Sequence, residues 1–306
     1  MKRKHSLHAS RNAADFSARL VAETGATPSH LVRRFVGLEH PKEIVLAGSI
    51  PQGVGTEVSD VDLLVITDAS QYGDRSPETQ ADVVYSGLVL GEESPVVLST
   101  VALAAGVEID FAVVDADRLA ALIRRLSSES LLLTAPQIQL LSGVKSGWPL
   151  IEPDRTTPHA EGLTNDSLEI RCTVRYYVAA LKALEDALAA TQDDERLVWH
   201  LSRLCIERGF RAYFASVHHP HLGDKWLRFM SHHLRSPDDR KAARFRDVAQ
   251  RGSELLMRGG GDPDRCDEHL RDVREWLDSL RGLLAEDLRY GVALRLSPQL
   301  DVTITS

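Results

Sequence analysis

Residues 43–66 of the chain read EIVLAGSIPQGVGTEVSDVDLLVI, and this segment carries the clearest structural signal in the sequence. Its two apolar runs, Glu43–Ala47 and Leu63–Ile66, predict two short strands joined by a turn that contains glycine. Asp60 and Asp62 lie at the entry to the second strand. Because side chains alternate along a strand, residues two apart project from the same face, and the two carboxylates are expected to lie side by side.

Two carboxylates held this close repel each other unless one is protonated or a cation lies between them. A hard divalent cation such as Mg2+ supplies that compensation, since it binds carboxylates, water and the phosphate oxygens of a substrate. Gly48 and Ser49 follow the first strand, where small residues let a phosphate approach the backbone and its N–H groups. The pattern therefore indicates a metal site beside a phosphate-binding turn.

A third acidic side chain is expected from the strand predicted over Val107–Val114. Its apolar residues alternate on one face, while Glu108 and Asp110 share the other. The same alternation is found on the solvent face of an edge strand. The pattern alone does not choose between Glu108 and Asp110.

These residues resemble the signature of the nucleotidyltransferase superfamily, which includes DNA polymerase beta, the antibiotic adenylyltransferases and the minimal nucleotidyltransferases. The matching positions are Gly48, Ser49, Gly53, Ser59, Asp60 and Asp62. The resemblance implies that Asp60, Asp62 and Asp110 hold the metal, with Asp110 completing the site or acting as general base. It also implies that Gly48, Ser49, Gly53 and Ser59 bind the nucleotide.

The reaction that the resemblance implies is transfer of a nucleoside monophosphate, with release of pyrophosphate. We expect Mg2+ or Mn2+ as cofactor, ATP as donor, and a hydroxyl of a small molecule as acceptor. One alternative is a modifier of protein or tRNA like the minimal nucleotidyltransferases. Another is a nucleotide-binding module without catalysis, against which the intact acidic pair argues.

The expected architecture is an α/β (α+β) catalytic domain with a small mixed sheet, followed by an all-α domain. We place the catalytic domain at residues 1–142, a proline-containing linker at 143–165, and the helical domain at 166–306. This layout is similar to that of the streptomycin-type adenylyltransferases. In such enzymes a lysine of the helical domain can reach the triphosphate, and Lys225 is the candidate here.

Further elements are expected on both sides of this boundary. The segment Ala13–Phe35 predicts two helices separated near Gly25 and Pro28, and residues 71–99 predict an insertion of strand or helix character. In the second half, apolar spacing predicts helices at about 195–217, 225–234 and 238–258, a last one around 270–284, and an edge strand at 292–304.

Composition limits the partners and the compartment. The 306 residues are 43% hydrophobic, which is ample for two packed cores, and the net charge of −8 argues against nucleic acid as a partner. The chain contains no run of eighteen apolar residues, and its start lacks the apolar stretch of a signal peptide. Its three widely spaced cysteines suit a reducing compartment. We therefore expect a cytoplasmic protein with no membrane partner.

Overall fold

The structure, a computed structural model, describes residues 4–68, 71, 82–88, 94–128, 133–151, 158–163, 167–190, 194–217, 239–258 and 265–285. The chain forms two compact units, Met1–Asn165 and Asp166–Ser306. The first contains a mixed six-stranded sheet with helices, and the described part of the second is helical. The predicted fold class, an α/β (α+β) domain followed by a helical one, is confirmed.

The first unit begins with a short 3-10 helix, Leu7–Ala9, and then alternates helices and strands. In chain order its further elements are α1 (Ala13–Thr24), α2 (Pro28–Val36), β1 (Glu43–Ala47), β2 (Val61–Thr67), β3 (Val83–Leu88), β4 (Val96–Ala104), β5 (Val107–Asp115), α3 (Ala116–Ser128), α4 (Ala135–Ser146), β6 (Trp148–Pro149) and α5 (Pro158–Glu161).

The six strands lie in the order β3-β4-β5-β2-β1-β6. Strands β2 and β5 run parallel, and every other pairing is antiparallel. The hairpin between β4 and β5 turns at Ala105 and Gly106, which both have positive φ (51° and 84°), as a two-residue turn of this twist requires. The two strands expected to carry the acidic residues, β2 and β5, are therefore neighbours at the centre of the sheet.

The predicted break between the first two helices is confirmed, and its local cause is clear. Helix α1 ends at Gly25, whose φ of 73° places it in the left-handed conformation that glycine adopts without a Cβ clash. The Thr27 side chain accepts a hydrogen bond from the His30 backbone N–H, and Pro28 occupies the first turn of α2. Both features favour a helix start at this point.

The core of the first unit lies between the N-terminal helices and one face of the sheet. Alternate residues of β1, β2 and β5 on that face are buried, and Phe35 of α2 packs against Phe111 of β5 with ring centroids 6.1 Å apart. The other face carries α4, because a Cβ on Gly143 would lie 3.0 Å from the Leu64 side chain and 3.1 Å from the Ala47 Cβ. Strand β2 is consequently buried on both faces except at Asp62.

The structure gives defined elements to two of the predicted segments. The insertion at residues 71–99 contributes β3 and the start of β4, so its described part has strand character. The segment predicted as a linker, 143–165, contains the end of α4, then β6, which pairs with β1, then α5. His159 of α5 also hydrogen-bonds Glu43 of β1 through Nδ1 and Oε1, 2.7 Å apart. The prolines of this segment suggest a linker, and a strand of two residues is too short to give a periodic pattern that would indicate otherwise.

The second unit is described over four helices, α6 (Ser167–Ala189), α7 (Glu195–Ser216), α8 (Asp239–Met257) and α9 (Cys266–Ala285). Trp276 of α9 is fully buried and donates a hydrogen bond to the Val248 carbonyl of α8. Lys225, the helix predicted at 225–234 and the strand predicted at 292–304 lie outside the described residues. Within the ranges that the structure describes, no helix is long and apolar enough to cross a bilayer.

Candidate active site

Parallel pairing of β2 and β5 places the predicted acidic residues next to each other. Asp62 near the start of β2 pairs in register with Asp110 of β5, and Glu108 lies two residues before Asp110 on the same face. Asp60 immediately precedes β2. Residues from two distant parts of the chain therefore meet at one end of the central strands.

Three of these side chains form a cluster of carboxylates. Asp60, Glu108 and Asp110 each contribute one oxygen, and the three oxygens all lie within 4.8 Å of one another. All three side chains are partly exposed, so that solvent and a ligand can reach them. Both candidates for the third carboxylate, Glu108 and Asp110, are thus present in the same cluster.

The Asp62 carboxylate lies against Gly48 at the end of β1. A Cβ built on Gly48 would lie 1.8 Å from Asp62 Oδ2 and 2.7 Å from its Cγ, which is far inside any allowed contact. Gly48 also has a φ of 73°, in the left-handed region. Residue 48 must therefore be glycine for two independent reasons. One is its positive φ, and the other is the position of the Asp62 carboxylate.

The loop from Gly48 to Asp60 is fixed to the core by its apolar residues. Ile50 and Val54 are buried, and the Val54 N–H donates to the Ser49 carbonyl at 3.0 Å. Gly53 has a φ of 72° and donates to the Ile50 carbonyl, which closes a tight turn. The loop is therefore shaped before any ligand binds.

Ser59, which directly precedes Asp60, also stabilises the loop through hydrogen bonds. It is buried, and its Oγ accepts a hydrogen bond from the Thr56 N–H at 2.9 Å. Its carbonyl is bonded by the His5 imidazole at 2.8 Å. Lys4 forms an ion pair with Glu57, and this hydrogen bond lowers the pKa of the Glu57 carboxyl. The N-terminal segment thus contacts the same loop, which no sequence pattern indicated because the two segments are far apart in the chain.

The donor set of the cluster suits a hard divalent cation. Carboxylate oxygens are ligands that Mg2+ and Mn2+ accept, and Mg2+ keeps further positions for water and phosphate oxygens. Oxygens that share one Mg2+ lie roughly 3 to 4 Å apart, given metal–oxygen distances of about 2.1 Å. The separation within 4.8 Å approaches this spacing. The cluster can therefore hold a metal ion through Asp60 with Glu108, Asp110 or both.

Some of the predicted site residues lie together in the carboxylate cluster, and the others lie outside it. The structure brings Asp60 and Asp110 together and adds Glu108, while Asp62 is directed at Gly48. Ser49 is partly exposed in the turn, and Gly53 is exposed with open space around its Cα. The assignments of metal ligands and nucleotide-binding residues remain predictions.

Comparison with known proteins identifies the domain. Residues 30–126 match the family model described as a nucleotidyltransferase domain. The chain is also similar to a solved nucleotidyltransferase-like protein from Exiguobacterium sibiricum, with 13% identity, a TM-score of 0.40, and coverage of 85% of this chain and 77% of that one. Comparison with curated proteins gives no match. The matched segment spans β1, β2 and β5 with their carboxylates, so this part of the chain is similar to nucleotidyltransferase domains.

Proposed function

We propose that this protein transfers AMP from ATP to a hydroxyl group of a small molecule and releases pyrophosphate. The observation that carries the proposal is the convergence of Asp60, Glu108 and Asp110 at one end of the central strands of a nucleotidyltransferase domain. In this reaction the acceptor oxygen forms a bond to the α-phosphorus, and the bond from that phosphorus to the bridging oxygen of pyrophosphate breaks. The hydroxyl proton passes to a base.

Each acidic residue has a role in this scheme. Asp60 and Asp62 bind the divalent ion, which neutralises charge on the triphosphate when bound. Asp110 completes the metal site or accepts the proton of the acceptor hydroxyl, and Glu108 is the alternative for that role. Gly48 and Ser49 bind phosphate through the backbone, and Gly53 and Ser59 keep the loop in shape.

The acceptor is proposed from charge. A surface that binds tRNA needs clustered lysine and arginine, whereas this chain has a net charge of −8. Two arginines of α7 also have local contacts, since Arg203 pairs with Glu207 and Arg208 donates to the Ala179 carbonyl. A small hydroxylated molecule is therefore favoured over a polyanion. ATP is the donor by analogy with the family.

The test is incubation of purified protein and Mg2+ with ATP, CTP, GTP or UTP labelled at the α-phosphate, together with a metabolite extract, RNA or protein. We expect label from ATP in a small molecule. Label in RNA or in protein would instead identify a modifier of those polymers. No transfer to any acceptor, together with nucleotide binding, would identify a non-catalytic module.

Four substitutions assign the residues. Asp60→Ala and Asp62→Ala are each expected to abolish transfer while the protein stays folded, and Asp117→Ala, at an exposed acid of α3, is the matched control. Asp110→Asn should lose far more activity than Glu108→Gln. Full transfer by either alanine variant at Asp60 or Asp62 would refute the proposed site, and equal activity of the last two variants would refute the choice of Asp110.

A further inference from the structure

The segment before α1 is joined to the loop that carries Asp60. The His5 backbone N–H donates to the Glu57 carbonyl at 2.9 Å, and the His5 Nε2 lies 2.8 Å from the Ser59 carbonyl oxygen. Lys4 adds the ion pair with Glu57. Three contacts therefore link two adjacent residues of the segment to the last turn before Asp60.

The contact to Ser59 has a defined direction. A carbonyl oxygen can only accept, so the His5 imidazole donates from Nε2–H, and this fixes its tautomer. His5 is only 6% exposed, which shields the hydrogen bond from competing water. The Ser59 carbonyl belongs to the same planar peptide unit as the Asp60 N–H. Holding that oxygen therefore restricts the orientation of the backbone from which the Asp60 side chain projects.

The segment is itself held firmly enough to serve as a support. Leu7 is fully buried in the core of the first unit. The Ser6 backbone N–H and hydroxyl both donate to Oε1 of Glu23 on α1, at 3.1 and 3.0 Å. His5 thus lies between a packed helix and the loop. Its hydrogen bond fixes the position of the Ser59 carbonyl relative to α1.

We propose that His5 is a positioning residue for the metal site. By holding the peptide unit between Ser59 and Asp60, it keeps the Asp60 carboxylate within reach of Glu108 and Asp110, which come from a different strand. This inference rests on the proposed function, because it assumes that Asp60 binds a divalent ion together with other acidic residues of the site. Groups that orient metal ligands typically contribute about 10-fold to 100-fold in metal affinity. His5 acts through the backbone, so we expect the lower figure, about 10-fold.

The experiment measures Mn2+ binding by electron paramagnetic resonance, with full-length protein and no nucleotide. His5→Leu removes the donor but keeps an apolar side chain, and it should weaken Mn2+ binding about 10-fold. His5→Gln places an amide N–H near the position of Nε2, and it should restore most of the affinity. His159→Leu is the matched control, since it removes one histidine hydrogen bond, to Glu43, elsewhere in the same unit.

The thermal unfolding of each variant is followed by circular dichroism. Wild-type affinity in folded His5→Leu would overturn the inference, and so would an equal loss in His159→Leu, because a general loosening would then explain both. If His5→Leu does not fold, His5→Asn takes its place. Its amide is too short to reach Ser59, and it must bind Mn2+ more weakly than His5→Gln. Wild-type protein that binds no Mn2+ would overturn the proposed function itself, and the inference with it.

Discussion

The Asp62 carboxylate occupies the space that a side chain on Gly48 would need, with Oδ2 only 1.8 Å from the position of a Cβ. Gly48 begins the turn after β1, and Asp62 faces it from the start of β2, since Ala47 and Asp62 pair in register. The Asp62 carboxylate can therefore take this position only because residue 48 has no side chain.

The first prediction concerns Gly48→Ala. The added methyl group must displace the Asp62 carboxylate, and a positive φ of 73° adds backbone strain of roughly 1 kcal/mol for a residue other than glycine. Because misplacing a catalytic group by about 1 Å can cost roughly 100-fold in rate, we expect a loss of nucleotidyl transfer of that order. Steady-state transfer assays and urea unfolding measure the two effects.

Gly53→Ala is the matched control for this variant. Gly53 lies in the same loop with a nearly identical φ of 72°, but a Cβ there would meet no atom within 4 Å. Its cost in stability should be limited to backbone strain, about 1 kcal/mol, and its loss of transfer should be much smaller than that of Gly48→Ala. Equal loss of transfer in both variants would show that strain, and not the position of Asp62, governs activity.

The second prediction concerns the repulsion within the carboxylate cluster. Two unit charges about 4.8 Å apart interact by roughly 1 kcal/mol even at the dielectric constant of water. Asp60→Asn removes one charge, so it should raise the free energy of unfolding by about 1 kcal/mol in the absence of metal. Added Mg2+ should stabilise the wild-type protein and have little effect on the variant, because binding to the native state raises its stability.

Urea unfolding in EDTA and in excess Mg2+ measures both effects. Glu268→Gln, which changes an exposed carboxylate in the first turn of α9, should respond to Mg2+ as the wild-type protein does. A variant Asp60→Asn that is less stable than wild type without metal would mean that its carboxylate makes favourable contacts that outweigh the repulsion.

Local patterns in the sequence predicted the elements of the site, but not how its side chains meet. Apolar runs located β1 and β2, and apolar alternation located β5, because burial of one or both strand faces leaves a local signal. The register that pairs Asp62 with Asp110 depends on contacts between distant segments, and the sequence left Glu108 and Asp110 as alternatives. The contact of Asp62 with Gly48 and that of His5 with Ser59 depend on side-chain direction, which periodicity does not report.

The third prediction concerns pH and the second unit. His269 of α9 is 3% exposed and stacks on Trp199 of α7, with ring centroids 4.1 Å apart. Burial lowers its pKa to about 4; the charge of Arg258 acts in the same direction and that of Asp272 opposes it. The unfolded chain binds this proton below about pH 6.5, whereas the folded protein binds it only below about pH 4. The free energy of unfolding therefore decreases as the pH falls from about 6.5 to about 4.

We expect this group to lower the free energy of unfolding by up to about 3 kcal/mol between pH 7 and pH 4. His269→Phe keeps an aromatic ring against Trp199 and cannot take up a proton, so its stability should fall less steeply over the same range. Urea unfolding at a series of pH values measures the two slopes. His200→Phe, at an exposed histidine of α7, should follow the wild-type profile. Parallel profiles for wild type and His269→Phe would contradict the prediction.

The fourth prediction compares two glycines of the helical unit for which helix propensity alone predicts the same effect of substitution by alanine. In a helix interior alanine is favoured over glycine by about 1 kcal/mol. Gly282 on α9 is exposed and a Cβ there meets nothing within 4 Å, so Gly282→Ala should raise the stability by about that amount. Gly209 on α7 differs, since its Cβ would lie 2.6 Å from Cη2 of Trp276 and 3.0 Å from Leu280.

Gly209→Ala should therefore lower the stability, in spite of the better helix propensity. Trp276 is fully buried and tied to the Val248 carbonyl at 2.8 Å, so it cannot move away from the new methyl group without losing that hydrogen bond. Overpacking of a close-packed core costs about 1 to 3 kcal/mol, which exceeds the gain in propensity. Urea unfolding of the two variants side by side measures the contrast. A stabilised Gly209→Ala variant would mean that α7 and α9 separate readily, and that the close approach of Trp276 to Gly209 contributes little to the packing of this unit.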